Sequence, residues 1–153
     1  MELSPATTPA DEQRKALALA FLQAFEDGGT TSSGGSVLDL FADDAQVCFP
    51  KWGVAHGRAE IADVLVDVGS TIHSISHDLA DINWVVTGGD VLVAEGTSHG
   101  VHRDGSWGSG SPERGGGRWC DVFQIHDGHI HRLFVHLDPE HAGKDTARYP
   151  WLE

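Results

Sequence analysis

Between Pro9 and Gly28 the apolar positions Leu17, Phe21 and Phe25 recur every four residues, with Leu22 beside them. That spacing lines one side of a helix. Thr8 suits its N-cap, Pro9 its first position and Asp11 its first turn, and Gly28-Gly29 stops it. A Gly/Ser/Thr-rich loop follows to residue 35, then Ser36 caps a short second helix over Val37 to Phe41. From there the period shortens to two. Strands are predicted over Ala45 to Phe49 and Trp52 to His56, separated by Pro50, and Gly57 leads into a third helix over Arg58 to Val68. Further strands are predicted at 75–86 and 91–103, with Gly88-Gly89 as the turn between them.

The most informative stretch runs from Arg118 to Phe134. Asp127-Gly128 between two β-rich runs marks a two-residue hairpin, because a type I′ turn needs positive φ at both central residues. With His126 opposite His129, strict alternation puts Ile125 opposite Ile130, Phe123 opposite Arg132, Asp121 opposite Phe134 and Trp119 opposite His136. One face then carries Trp119, Asp121, Phe123, Ile125, Ile130, Phe134 and His136. The other carries Cys120, Val122, Leu133, Val135 and Leu137. Both faces are largely apolar, so both are expected to be covered. Asp121 is the one acid inside the apolar run, where an ionised carboxylate is costly.

Helices first and antiparallel strands afterwards is an α+β pattern. Residues 1–8 read as a flexible leader, 9–139 as the domain, and 140–153 as a tail packed on it through Tyr149 and Trp151. The glycine-rich segment 104–117 reads as a mobile loop, with Trp107 placed to close over a ligand.

Composition narrows the function classes. A formal charge of −13 lacks the basic footprint of a nucleic-acid partner and disfavours anionic membrane surfaces. No apolar run reaches the ~20 residues of a membrane helix, and no basic-then-apolar leader is present. Cys48 and Cys120 read as free buried thiols, so a cytoplasmic location is expected. No phosphate, dinucleotide or zinc-protease motif occurs, and no cofactor is expected. His126, His129 and His131 crowd the hairpin turn but read as solvated there. His73 and His77 would share a metal only on one helix. No metal is expected.

The order of elements, with Leu40-Phe41-Ala42-Asp43-Asp44-Ala45, Gly57-Arg58-Ala59-Glu60-Ile61 and Asp127-Gly128-His129-Ile130 at its joints, resembles the NTF2-like superfamily and its SnoaL-like branch from about residue 14 to 139. The resemblance implies a curved antiparallel or mixed sheet wrapped by three helices into a cone, with an apolar pocket at its open end. It also implies a homodimer through the outer sheet face. The fold hosts isomerases, dehydratases, cyclases, epoxide hydrolases and binding proteins, so function must come from the site.

By the same resemblance, Asp121 falls where ketosteroid isomerases keep an oxyanion-hole aspartate and SnoaL-type polyketide cyclases an acid/base aspartate. The isomerase base and tyrosine are replaced by Phe49 and Phe21, which removes that activity. Limonene-epoxide-hydrolase-like members pair Arg-x-Asp on this strand, whereas Arg118 lies three residues from Asp121 and the last strand offers no second acid. Scytalone-dehydratase-like enzymes keep histidines that match His77 and His99, and an acid near the end of the first helix that matches Glu26 or Asp27. Two of their tyrosines match Phe25 and Phe49. The expected catalytic set is Asp121, His77 and His99, since histidine and a buried carboxyl both exchange protons near neutrality. His136 is a plausible further donor. Trp52, Phe21, Phe25, Phe49, Trp119, Phe123, Phe134 and His136 are the expected substrate-binding residues.

The resulting expectation is a cofactor-independent acid–base enzyme, a dehydratase, isomerase or aldol-type cyclase. Its substrate class is a cyclic, oxygenated, hydrophobic molecule of polyketide or steroid type. A non-catalytic ligand-binding or dimerisation module is the alternative, and epoxide hydrolysis the third.

Overall fold

The computed structural model describes residues 7–103, 105–108 and 117–138. Helix α1 (Pro9–Glu26) starts at a capping box: the Thr8 hydroxyl accepts the Asp11 N–H at 3.2 Å, and the Asp11 carboxylate accepts the Thr8 N–H at 2.8 Å. Ala18, Phe21, Leu22 and Ala24 are buried beneath it. The second helix is a single 3₁₀ turn, Val37–Leu40, and β1 begins at once, Phe41–Phe49, four residues earlier than expected. Strand β2 (Gly53–His56) folds back on β1, and α2 (Gly57–Ser70) follows. The expected three helices are thus two α-helices and a 3₁₀ turn.

Strand β3 (Ile72–His77) and β4 (Asn83–Val86) replace the one strand expected at 75–86. A 3₁₀ turn at Leu79–Asp81 separates them, braced by the Asp78 N–H donating to the Thr97 carbonyl at 2.9 Å. Strand β5 (Val91–His102) is hydrogen-bonded along both edges. Over its first half it meets β4 and β7 (Arg118–His126), and over its second β3 and β6 (Gly105–Gly108). Part of the expected 104–117 loop is therefore strand. Residues 104 and 109–116 of it lie outside the described residues, as do the Trp107 side chain, residues 1–6 of the leader and the 140–153 tail. Strand β8 (His129–Leu137) completes the order β2-β1-β8-β7-β5-β3, with β1 and β8 parallel and the other pairs antiparallel. The eight strands form one curved mixed sheet, an α+β cone closed by α1 and α2. Among the described residues no helix is long and apolar enough to cross a membrane.

The hairpin turn is as predicted, with Asp127 at φ 50° and Gly128 at φ 73° and His126 opposite His129. The register beyond it is not. Ile125 faces Ile130, but Gln124 faces Arg132, so His131 is an extra, unpaired residue. One inserted residue moves every later position of β8 to the other face. Asp121 now faces Val135, Trp119 faces Leu137, and Cys120 faces His136. The inner face carries Trp119, Asp121, Phe123, Ile125, Ile130, Leu133 and Val135, all buried. Phe134 and His136, expected beside Asp121, turn outward with Cys120 and Val122.

Among the described residues only the inner face is covered. The outer one is half-buried among the described residues, and the Arg132 guanidinium lies 3.6 Å over the Phe134 ring. The core sits between the inner face and the helices, where Phe21 meets Phe41 and Phe123 edge-on at ring distances of 5.7 and 6.2 Å.

Candidate active site

Small residues on β5 make the site possible. Its inward positions are Leu92, Ala94, Gly96, Ser98 and His102. A Cβ on Gly96 would stand 2.6 Å from Trp119 Cζ2, so only glycine lets the indole lie across the strand. Lying there, Trp119 reaches past β5 to the His77 ring on β3, edge-on at 5.5 Å. Its Nε1–H is buried with no acceptor among the described residues.

His77 is the last residue of β3, and the end of α1 packs against it. Glu26 Oε1 lies 2.7 Å from His77 Nδ1 and accepts the His77 backbone N–H at 2.5 Å. One carboxylate thus fixes both the ring and its backbone, settling the choice between Glu26 and Asp27. The side chains are 7% and 22% exposed, His77 the less. Burial lowers the His77 pKa below its ordinary 6.5, and the hydrogen bond and charge of Glu26, then the charge of Asp78, pull the other way. With Nδ1–H donated to Glu26, the neutral ring keeps its lone pair on Nε2.

Asp121 projects from the middle of β7 and is 3% exposed. No donor among the described residues reaches its carboxyl. Burial alone raises its pKa from 3.8 to about 8, so the group is protonated at neutral pH.

Both groups face one cavity of about 100 Å³. Its apolar wall includes Phe21, Phe25, Phe49, Trp52 and Trp119, five of the residues expected to bind substrate. Phe123 packs under Phe21 at its base, whereas Phe134 and His136 do not line it.

His99 does not line it either. Alternation along β5 turns its side chain outward, 60% exposed, with Nδ1 3.8 Å from Asp78 Oδ1. Its neighbour Ser98 and, at the strand's end, His102 line the cavity instead. His102 Nδ1 lies 3.0 Å from the Thr71 carbonyl, and the Ser98 hydroxyl donates to the Gly117 carbonyl at 3.4 Å. Continuing the buried Leu92–Ala94 alternation forward finds both.

Arg118 also points away. It is bound to Asp138 (Nε to Oδ2, 2.9 Å) with its side chain 67% exposed, so it forms no pair with Asp121.

A curved sheet closed by helices around a pocket that holds a histidine and an acid is the architecture of an NTF2-like cone. The family model for the SnoaL-like domain matches residues 18–133, and the chain belongs to that family. Among solved structures, an NTF2-like protein from Anabaena variabilis is 15% identical over 88% of this chain and 96% of its own, with a TM-score of 0.66. A proposed polyketide cyclase from Xanthomonas campestris is 20% identical over 83% and 91%, TM-score 0.63. An epoxide hydrolase of the limonene-epoxide-hydrolase-like type from Mycobacterium tuberculosis is 16% identical over 85% and 86%, TM-score 0.61. At these identities the likeness shows the fold. Comparison with curated proteins finds no match.

Proposed function

We propose that the protein is a cofactor-independent acid–base enzyme that moves a proton beside a carbonyl in a cyclic, mostly apolar, oxygenated molecule. The observation that carries this reading is that His77, oriented by Glu26, and a protonated Asp121 face the same apolar cavity. In the reaction, His77 Nε2 removes the α-proton, and the Glu26 carboxylate stabilises the imidazolium that forms. The Asp121 O–H donates to the carbonyl oxygen as the enolate develops, or protonates a leaving hydroxyl. Dehydration, isomerisation and aldol-type cyclisation all begin this way. The Trp119 N–H, which meets no acceptor among the described residues, offers a third polar contact that suits a ligand carrying an additional oxygen.

Epoxide hydrolysis fits less well. It needs an ionised carboxylate to activate water, and Asp121 is neutral at pH 7 while Arg118 is held elsewhere by Asp138. A non-catalytic pocket protein is the alternative reading. The homodimer expected from the resemblance is likewise a proposal, which sedimentation in solution reads directly.

Screening enolisable cyclic ketones and β-hydroxy ketones for turnover tests the enzyme reading. Asp121→Asn and His77→Gln should each lower kcat by about 10²–10⁴-fold on any substrate found. Full activity in both variants would sink the assignment. Tight binding of such ligands without turnover favours the pocket-protein reading.

A further inference from the structure

At the far end of the opening hairpin, away from the cavity, three metal-type donors converge. His126 ends β7, Asp127 occupies the turn and His131 is the unpaired bulge residue of β8. None of them lines the cavity. The bulge matters because it re-aims a side chain. It brings the His131 ring onto His126, nearly parallel at 13° with centroids 3.5 Å apart. The positive φ of Asp127 turns its carboxylate back to the same point, with Oδ2 3.0 Å from His126 Nδ1. One ligand atom from each residue lies within 4.8 Å of the other two.

One of these separations is that of a chelate. Ligand atoms about 2.0–2.2 Å from a tetrahedral or square metal centre lie about 2.9–3.5 Å from each other. The His126–Asp127 pair already has that bite. The His131 ring, stacked on His126, would turn out of the stack for its in-plane lone pair to meet the same ion, and the partial exposure of the site leaves room for that rotation. The scaffold beneath is stiff: Arg14 Nε donates to the Ile125 carbonyl at 3.1 Å, which pins the strand end to α1. Two imidazoles with one carboxylate select zinc-like ions over magnesium or calcium, which prefer all-oxygen sites. Three protein ligands leave a position for water.

We propose that His126, Asp127 and His131 form a surface site for a divalent transition-metal ion of the zinc type. This site is independent of the cavity and of the reaction proposed for it.

The test is calorimetric titration of the full chain, freed of metal by chelation, with ZnCl₂ and separately with MgCl₂. One saturable zinc site is expected, with no comparable magnesium binding. His126→Ala and His131→Ala should each weaken zinc binding at least about tenfold. Asp127→Asn keeps a side chain that tolerates positive φ but loses the anionic ligand, so it should weaken binding without disturbing the turn. His99→Ala, at the other surface His–Asp pair, should leave the affinity unchanged. Far-UV circular dichroism checks that each variant folds. Absence of a saturable site, equal magnesium binding, or a site that survives both histidine variants at full affinity would overturn the proposal.

Discussion

Replacing Asp121 by Asn tests the electrostatics of the cavity without any substrate. The carboxyl pKa is 3.8 in the unfolded chain and about 8 in the folded one, raised by burial. Between those values the folded state holds one more proton than the unfolded state. The stability contribution of Asp121 is therefore fully present below pH 3.8 and is lost as pH rises toward 8. The slope is about 1.4 kcal/mol per pH unit. From pH 5 to pH 7 the wild type should lose about 3 kcal/mol through this group, and at pH 7 the cumulative cost is about 4 kcal/mol. Asn does not titrate, and every other ionisable group is common to both proteins. The difference in stability, variant minus wild type, should thus grow by about 3 kcal/mol between pH 5 and 7. Urea unfolding at half-unit steps of pH reads it directly. With a urea slope of about 1–3 kcal/mol/M, the gap between midpoints opens by about 1–3 M. A gap that stays constant across this range would show that Asp121 ionises normally. The protonated acid on which the proposed chemistry depends would go with it.

Four further predictions address the pH profile, the partner of the base, the packing and the excluded histidine. On an active substrate, kcat/KM should follow a bell, its acid limb set by His77 below pH 6.5 and its alkaline limb by Asp121 near pH 8. Glu26→Gln removes the charge of Glu26, which together with its hydrogen bond does most to raise the His77 pKa, so the acid limb should move to lower pH while kcat falls at least about tenfold. An unmoved limb would separate Glu26 from His77. Gly96→Ala forces a methyl against Trp119 and should cost about 1–3 kcal/mol in urea unfolding, with altered indole fluorescence. His99→Ala should change kcat/KM less than about twofold, because an outward side chain has no reach to the substrate; a loss on the scale of general acid–base catalysis would restore His99 to the site.

The sequence made some of this legible for physical reasons that also mark where it stops. Asp127-Gly128 could be read as a type I′ turn because few residue pairs accept two positive φ angles. The Thr8 cap and the apolar stripe of α1 were readable because capping and helical period are local. The bulge at His131 left no such mark, since an extra residue in a strand alters no propensity. That one insertion sent Phe134 and His136 to the outside and brought Val135 and Leu137 to the cavity. His99 was placed by likeness to other enzymes, whereas parity with Leu92 and Ala94 points to Ser98 and His102. Glu26 was in view as one of two acids at a helix end. Its identity as the partner of His77 depends on how α1 crosses β3, which is tertiary geometry.

The parallel pairing of β1 with β8 has a kinetic consequence. Val47 lies opposite Leu133, so β1, which carries the cavity residue Phe49, cannot find its neighbour in the sheet until nearly the whole domain has been made. The local hairpins β1–β2 and β7–β8 can form early, because their loops are short. Closure of the cone must wait for a long-range search, whose entropic cost slows folding relative to a simple meander. On the ribosome, β1 would emerge with one edge open and stay so until β8 arrives, the interval in which an unpaired strand edge is most exposed to aggregation.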